Sequence, residues 1–196
     1  MPAEFLMIIL IAYLFGSVNS AIIFSKIKRL PDPRTKGSAN PGATNIYRIA
    51  GKRAAATVFV FDVFKGVIPT WGSYYLGLEP FQIGVTAIAC CLGHMFPIFF
   101  GFKGGKAVAT AFGCLLPVGV SLGAILFATW LLMFKLTGYS SLSAIIAVGL
   151  SPVATFYISP KYTLPVGMLA LLVILRHIPN ILRLINGTEP KSKLRL

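Results

Sequence analysis

Six apolar runs divide this chain, at residues 4–24, 54–76, 81–100, 107–134, 139–158 and 161–178. Each is near or above the roughly 20 residues that a membrane-spanning helix needs. Backbone inside hydrocarbon must satisfy its own hydrogen bonds, and continuous runs of this kind leave the α-helix as the solution. With 56% hydrophobic and 12% charged residues, the chain reads as an all-α, polytopic membrane bundle, a single integral-membrane domain over residues 1–196. The first run is expected to be a retained helix, because its only early charge is Glu4 where a secretory signal would need bases. Cys90, Cys91 and Cys114 all fall inside apolar runs. Their spacing suits neither a disulfide framework nor a zinc site, so they read as core.

The fourth run is the ambiguous one. It is ~28 residues long and broken by Pro117 and Gly119, which suits one tilted helix or two short ones. Charge decides between them, because short cytoplasmic loops collect Lys and Arg. Between Lys26 and Arg53 lie eight of the chain's 18 Lys and Arg residues against one Asp. Fixing that loop in the cytoplasm puts the Glu79 turn and the amino terminus outside. A single crossing over 107–134 would then export Lys135, Arg183, Lys191, Lys193 and Arg195, whereas two crossings return them all to the cytoplasm. The expectation is seven transmembrane helices, amino terminus outside and carboxyl terminus cytoplasmic. At ~1.5 Å rise per residue the two crossings would be short, so one of them should thin the bilayer or shelter inside the bundle.

Four polar constellations gather on the cytoplasmic side of that arrangement. The first is Lys36-Gly37-Ser38-Ala39-Asn40-Pro41-Gly42-Ala43-Thr44-Asn45, flanked by Arg34 and Arg48. Glycines let backbone amides converge, hydroxyl and amide side chains add donors, and Arg grips phosphate through paired hydrogen bonds. An anion nest and a solvated turn with ordinary cytoplasmic bases are even alternatives here. The second runs from Gly93-His94 through Gly101, Lys103, Gly104, Gly105 and Lys106 to Thr110. It suits a phosphate cradle before a helix, or a plain linking turn. It is not a Walker loop, since Phe100 stands where the first Gly belongs and Ala107 follows Lys106.

The third is Asp62 with Lys65, three residues apart within the second run, able to pair and so lessen the cost of charge in hydrocarbon. A structural pair and a phosphate-binding Lys65 are both open. The fourth is Arg176-His177-Ile178-Pro179-Asn180 with Arg183, where Pro179 disfavours regular helix before it and lets His177 and Asn180 turn into a site. Both His177 and His94 also suit plain interfacial positions. Ser140, Ser141 and Ser143 are small polar residues that mediate helix packing, and one of them is a candidate to line the site.

Taken in order, Gly16-Ser17-Val18-Asn19, the 36–45 run with Arg48, Asp62 with Lys65-Gly66, Gly93-His94 through Thr110, and His177-Ile178-Pro179-Asn180 ending in Gly187-Thr188-Glu189 closely resemble the bacterial acyl-phosphate:glycerol-3-phosphate acyltransferases. The likeness spans almost the whole chain. It implies transfer of a fatty acyl group from acyl phosphate to the 1-hydroxyl of glycerol 3-phosphate, giving lysophosphatidic acid and inorganic phosphate as the first acylation of phospholipid synthesis. It implies a bacterial cytoplasmic (inner) membrane location with the site on the cytoplasmic face. Acyl phosphate, glycerol 3-phosphate and membrane lipid are the partners, with no cofactor, metal or nucleic acid.

The site residues it implies are Ser38, Arg48, His177 and Asn180 for catalysis. Lys36, Gly37, Asn40, Thr44, Asn45, Lys65, Gly101, Gly104, Gly105 and Lys106 would hold phosphate, and Asp62 and Glu189 would be structural. Other glycerolipid acyltransferases pair a His with an Asp five positions on; here those positions are Phe99 and Leu182, so that acid/base pair is absent from the sequence. On charge alone a small-anion or phosphate transporter competes. Polar residues gathered at one face, rather than inverted repeats around the midplane, favour the enzyme.

Overall fold

The computed structural model describes residues 3–192, so Lys193 and Arg195, which entered the charge count, lie outside the described residues. Within them there are nine α-helices and no strand: α1 (Ala3–Gly16), α2 (Ser20–Ile27), α3 (Ala43–Tyr75), α4 (Pro80–Met95), α5 (Val108–Leu115), α6 (Val120–Thr137), α7 (Ser140–Ile158), α8 (Thr163–Arg176) and α9 (Ile178–Ile185). Five segments are long and apolar enough to cross a membrane, namely Ala3–Ile27, Ala43–Tyr75, Pro80–Phe100, Val120–Thr137 and Ser140–Ile158. A sixth is reached if Pro160–Arg176 and Ile178–Ile185, bent by 57°, count as one span.

The ambiguous fourth run divides at 116–119 into α5 and α6, around Pro117 as the sequence suggests. With eight residues, α5 is about 12 Å long and too short to cross hydrocarbon by itself. Its inward side, including Thr110, Ala111, Gly113 and Cys114, is buried against the bundle.

Glycine at the helix crossings lets backbones meet. A Cβ on Gly16 would strike the Cys90 carbonyl, and one on Gly93 would strike that of Tyr13, which brings α1 and α4 into contact. Gly66 meets Thr110 and Gly113 meets Val63 in the same way between α3 and α5. This is the close small-residue packing that helices use where lipid supplies no hydrophobic drive to associate.

Helix breaks set the geometry of the polar end. Asn19 caps α2 by accepting a hydrogen bond from the Ile22 amide at 3.1 Å. Gly51, at φ +82°, kinks α3 and sets its first turns, with Thr44, Asn45 and Arg48, apart from the apolar remainder. His177 ends α8 and starts α9, so the interruption expected from Pro179 falls just before it. His94 occupies the last turn of α4.

Candidate active site

A cavity of about 370 Å³ opens among the polar ends of these helices. Ser38, Asn40, Thr44, Arg48, Lys106, Ser140, Ser141, His177, Asn180, Arg183 and Glu189 line one side of it. The other side is apolar, with Phe59 of α3, Phe112 of α5, Phe127 and Trp130 of α6, and Ala147 and Val148 of α7. Those aromatic rings form a continuous wall, with centroids 6.4 Å apart from Phe59 to Phe112, 6.0 Å from Phe112 to Phe127 and 6.5 Å from Phe127 to Trp130. One cavity thus offers a cationic, hydrogen-bonding end and a greasy one.

Four helices begin at its rim. The cap residues of α3, α5, α7 and α9 are Gly42, Ala107, Tyr139 and His177, and none supplies a side-chain hydrogen bond to its first turn. In α3, α5 and α7, first-turn amides without side-chain caps, with the positive ends of helix dipoles, favour an anion at that rim; α9 adds less, because Pro179 has no N–H and the Asn180 and Ile181 amides are taken by the His177 carbonyl.

Glu189 ties the far wall together. Its Oε1 accepts hydrogen bonds from Ser141 Oγ and Asn180 Nδ2, both at 2.6 Å, and its Oε2 accepts one from Arg183 Nε at 2.7 Å. Burial pushes its pKa up, but the bonds from Ser141, Asn180 and Arg183 outweigh that and hold it below the usual range. Asn180 is 2% exposed, and its Oδ1 is buried with no partner among the described residues. That leaves an acceptor for a hydroxyl. Next to it, His177 Nδ1 lies 2.8 Å from the Val173 carbonyl, which only an N–H can satisfy, so Nε2 keeps its lone pair.

Asp62 and Lys65 form the pair their spacing suggests, with Lys65 Nζ 2.8 Å from Asp62 Oδ1 and both side chains buried. The ammonium also donates to the Val18 carbonyl at 3.1 Å, freed by the α1–α2 break, and Ser20 Oγ donates to Asp62 Oδ1 at 2.7 Å. His94 Nδ1 lies 3.6 Å from the same carboxylate and 3.3 Å from Thr110 Oγ1. A charge placed at the bilayer centre costs about 3 kcal/mol on insertion scales, and this cluster compensates it.

The glycine turn differs from a cradle. Gly104 donates its amide to the Met95 carbonyl at 3.2 Å and Gly105 to that of His94 at 3.1 Å, so both donors are used inside the fold. From the other side, Arg176 Nε donates to the Gly105 carbonyl at 3.2 Å while its guanidinium lies over the Phe96 ring. Lys106, one residue on, faces the cavity. Burial lowers its pKa from 10.5 to about 8, with Glu189 pulling it up and Arg183, Arg176 and Arg48 pushing it down.

Of the residues expected at the site, Ser38, Asn40, Thr44, Asn45, Arg48, Asp62, Lys106, His177, Asn180 and Glu189 come together around the cavity. Lys36, Gly37, Lys65, Gly101, Gly104 and Gly105 do not line it. Asn45 spends its whole carboxamide on the loop: Oδ1 accepts from the Ser38 amide at 2.9 Å, and Nδ2 donates to the carbonyls of Pro33 and Lys36 at 2.8 and 2.9 Å. Among the three serines, Ser140 and Ser141 line the cavity, and Ser143 turns back to the Tyr139 carbonyl. Tyr47, Lys52 and the aromatic wall also line it. The wall's signal was present as Phe and Trp at spacings of three and four along α6, a pattern shared by any lipid-facing helix.

The glycerol-3-phosphate acyltransferase family model matches residues 6–187. The chain is 58% identical over 182 residues to the glycerol-3-phosphate acyltransferase of Pseudoalteromonas translucida, covering 93% of this chain and 90% of the relative. It is 52% identical over 195 residues to that of Idiomarina loihiensis, covering 100% of both. Among solved structures it is similar to PlsY, described as an integral membrane glycerol 3-phosphate acyltransferase. The glycerol 3-phosphate form of PlsY superposes with a TM-score of 0.90 at 36% identity over 96% of each chain. The lysophosphatidic acid form gives 0.88 at 35% identity, over 96% of this chain and 95% of that one.

Proposed function

This chain belongs to the glycerol-3-phosphate acyltransferase family, and from that premise we propose that its donor is an acyl phosphate, acylating the 1-hydroxyl of glycerol 3-phosphate and releasing lysophosphatidic acid and inorganic phosphate. The observation that carries this reading is the two-ended cavity, with Arg48 and Lys106 at one end and the Phe59–Trp130 wall at the other. A donor that joins phosphate directly to a fatty acyl group matches that juxtaposition. Both substrates bring phosphate to a rim where four helices start.

In the reaction the 1-hydroxyl oxygen bonds to the acyl carbonyl carbon, and the acyl–phosphate C–O bond breaks. Arg48, Lys106 and Ser38 hold the phosphates and balance charge developing on the carbonyl oxygen. Asn180 Oδ1 and His177 Nε2 offer acceptors at the alcohol end of glycerol 3-phosphate, where the 2-hydroxyl can donate and so orient the substrate, leaving the 1-hydroxyl proton free to go to phosphate. Phosphate is a good leaving group, and a substrate phosphate takes the hydroxyl proton. His177→Gln, which keeps polarity without the imidazole base, should retain substantial turnover with an unchanged pH profile; abolished turnover with intact glycerol 3-phosphate binding would assign the proton to His177.

We read the topology as seven crossings, with the amino terminus outside, the carboxyl terminus and site cytoplasmic, in a bacterial inner membrane. Thr110 sits beside His94 and Gly66, and the Cys114 thiol faces the Ala87 carbonyl. This start is level with Asp62, about 15 Å into the apolar part of α3 at the usual helical rise. Eight residues then need to cover only the outer half of the bilayer, with the segment 101–107 descending into the bundle before them.

The donor is tested with purified protein in detergent, where acyl phosphate plus glycerol 3-phosphate should release phosphate and form lysophosphatidic acid with no sealed compartment. Formation of the same product from an acyl thioester, with acyl phosphate inert, would overturn the donor.

A further inference from the structure

The short helix α9 is amphipathic in the reverse of the usual sense. Asn180 is 2% exposed and, with Arg183, faces the cavity and Glu189. On the opposite side, Ile178, Leu182 and Ile185 are among the chain's exposed large apolar residues, Leu182 at 55% and Ile185 at 75%. A helix on a water-facing surface turns its apolar stripe inward. Here the polar stripe is inward, an arrangement favoured only when an apolar medium lies outside.

The medium is identified by continuity. Met168, Leu171 and Leu175 are exposed along α8 at helical spacing, and Ile178, Leu182 and Ile185 carry that stripe on through the 57° bend. The bend turns α9 away from the α8 axis, so the stripe need not descend further along the span and can lie along the boundary between headgroups and acyl chains. Arg176 and Arg183, by contrast, turn inward to the Gly105 carbonyl and to Glu189, so the outer stripe is left wholly apolar.

We propose that α9 is an interfacial helix seated in the headgroup–acyl boundary of the leaflet beside the site, and that this lipid contact holds His177 and Asn180 in the cavity. The occupant is the bilayer itself. His177 and Asn180 are attached to the bundle through the Val173 carbonyl and Glu189, while Ile178, Leu182 and Ile185 on the outer face of α9 stay 46%, 55% and 75% exposed. Lipid supplies the remaining wall. The inference depends on α8 spanning the membrane and is independent of which acyl donor is used.

The test uses full-length protein in lipid nanodiscs with a fluorophore on Leu182→Cys, Ile185→Cys or, on α8, Leu171→Cys. Cys90, Cys91 and Cys114 are buried and should stay unlabelled. Lipids brominated near the headgroup should quench the Leu182 and Ile185 labels alike and more than lipids brominated near the methyl end, with the reverse at Leu171. No quenching at Leu182 and Ile185 would mean a second copy or another protein covers the face, and a stepwise change in depth between them would mean a helix directed across the boundary; either overturns the placement. For the coupling, Leu182→Ser with Ile185→Ser should lower kcat/KM about fivefold at unchanged thermal stability, and Leu182→Trp should retain activity. Unchanged kcat/KM in the double variant would overturn the role in holding the site.

Discussion

The turns at residues 36–45 and 101–106 both combine glycine with lysine, yet a side chain organises the first and backbone organises the second. In the first, Gly37 at φ +63° passes so close to Asn45 that a Cβ would strike its carboxamide oxygen, and that carboxamide gathers three backbone groups around it. In the second, Gly104 and Gly105 lie against the end of α4 and give their amides to Met95 and His94. The turns also touch, since Arg34 donates to the Phe100 carbonyl at 3.1 Å and a Cβ on Gly105 would come 3.0 Å from the Pro41 carbonyl. Glycine in both serves close approach, and the cavity-facing groups are Ser38, Arg48 and Lys106 nearby.

The comparison breaks most visibly at Gly105. A methyl there would strike His94 Nε2, which is packed and cannot withdraw, so Gly105→Ala should lower turnover by at least about 100-fold through misplacement of Lys106. If Gly105→Ala keeps full turnover, the turn is not the positioning device described. Lys106→Met should cost about 100-fold in kcat/KM by removing one preorganised charge. A loss confined to kcat at unchanged glycerol 3-phosphate affinity would move Lys106 from binding to transition-state stabilisation alone.

Titration sharpens the same residue. Lys106 is charged below its pKa of about 8 and neutral above it, so kcat/KM for glycerol 3-phosphate should fall as pH rises through about 8, and Lys106→Arg should carry the plateau to higher pH. Asn45→Ala strands the Ser38 amide and two carbonyls and should lower thermal stability by about 2–3 kcal/mol, with a raised KM as Ser38 loosens. The smallest effect belongs to Gly101→Ala. Gly101 is left-handed at φ +64° with open space where a Cβ would go, so the cost is about 1 kcal/mol of backbone strain and turnover should stay within about twofold.

Local patterns were readable from the chain. Apolar length located the longer helices but not the break between α1 and α2, the polar first turns of α3, or α9; Pro117 located the break in the fourth run, and three-residue spacing joined Asp62 to Lys65. What hid were facts of the third dimension. The amides of Gly104 and Gly105 look free in any sequence, because nothing there says that the last turn of α4 folds back on them. Ser141 and Glu189 are 48 residues apart, and no periodicity joins them. The aromatic wall hid for another reason, since lipid-facing and cavity-facing aromatics obey the same helical period.

Glu189 also sets an order of events during synthesis. The carboxylate that bridges Ser141 of α7 to Asn180 and Arg183 of α9 comes after every helix it joins. A chain made only as far as α8 has no closed pocket, because the wall carrying Asn180 has no latch until residue 189 is added.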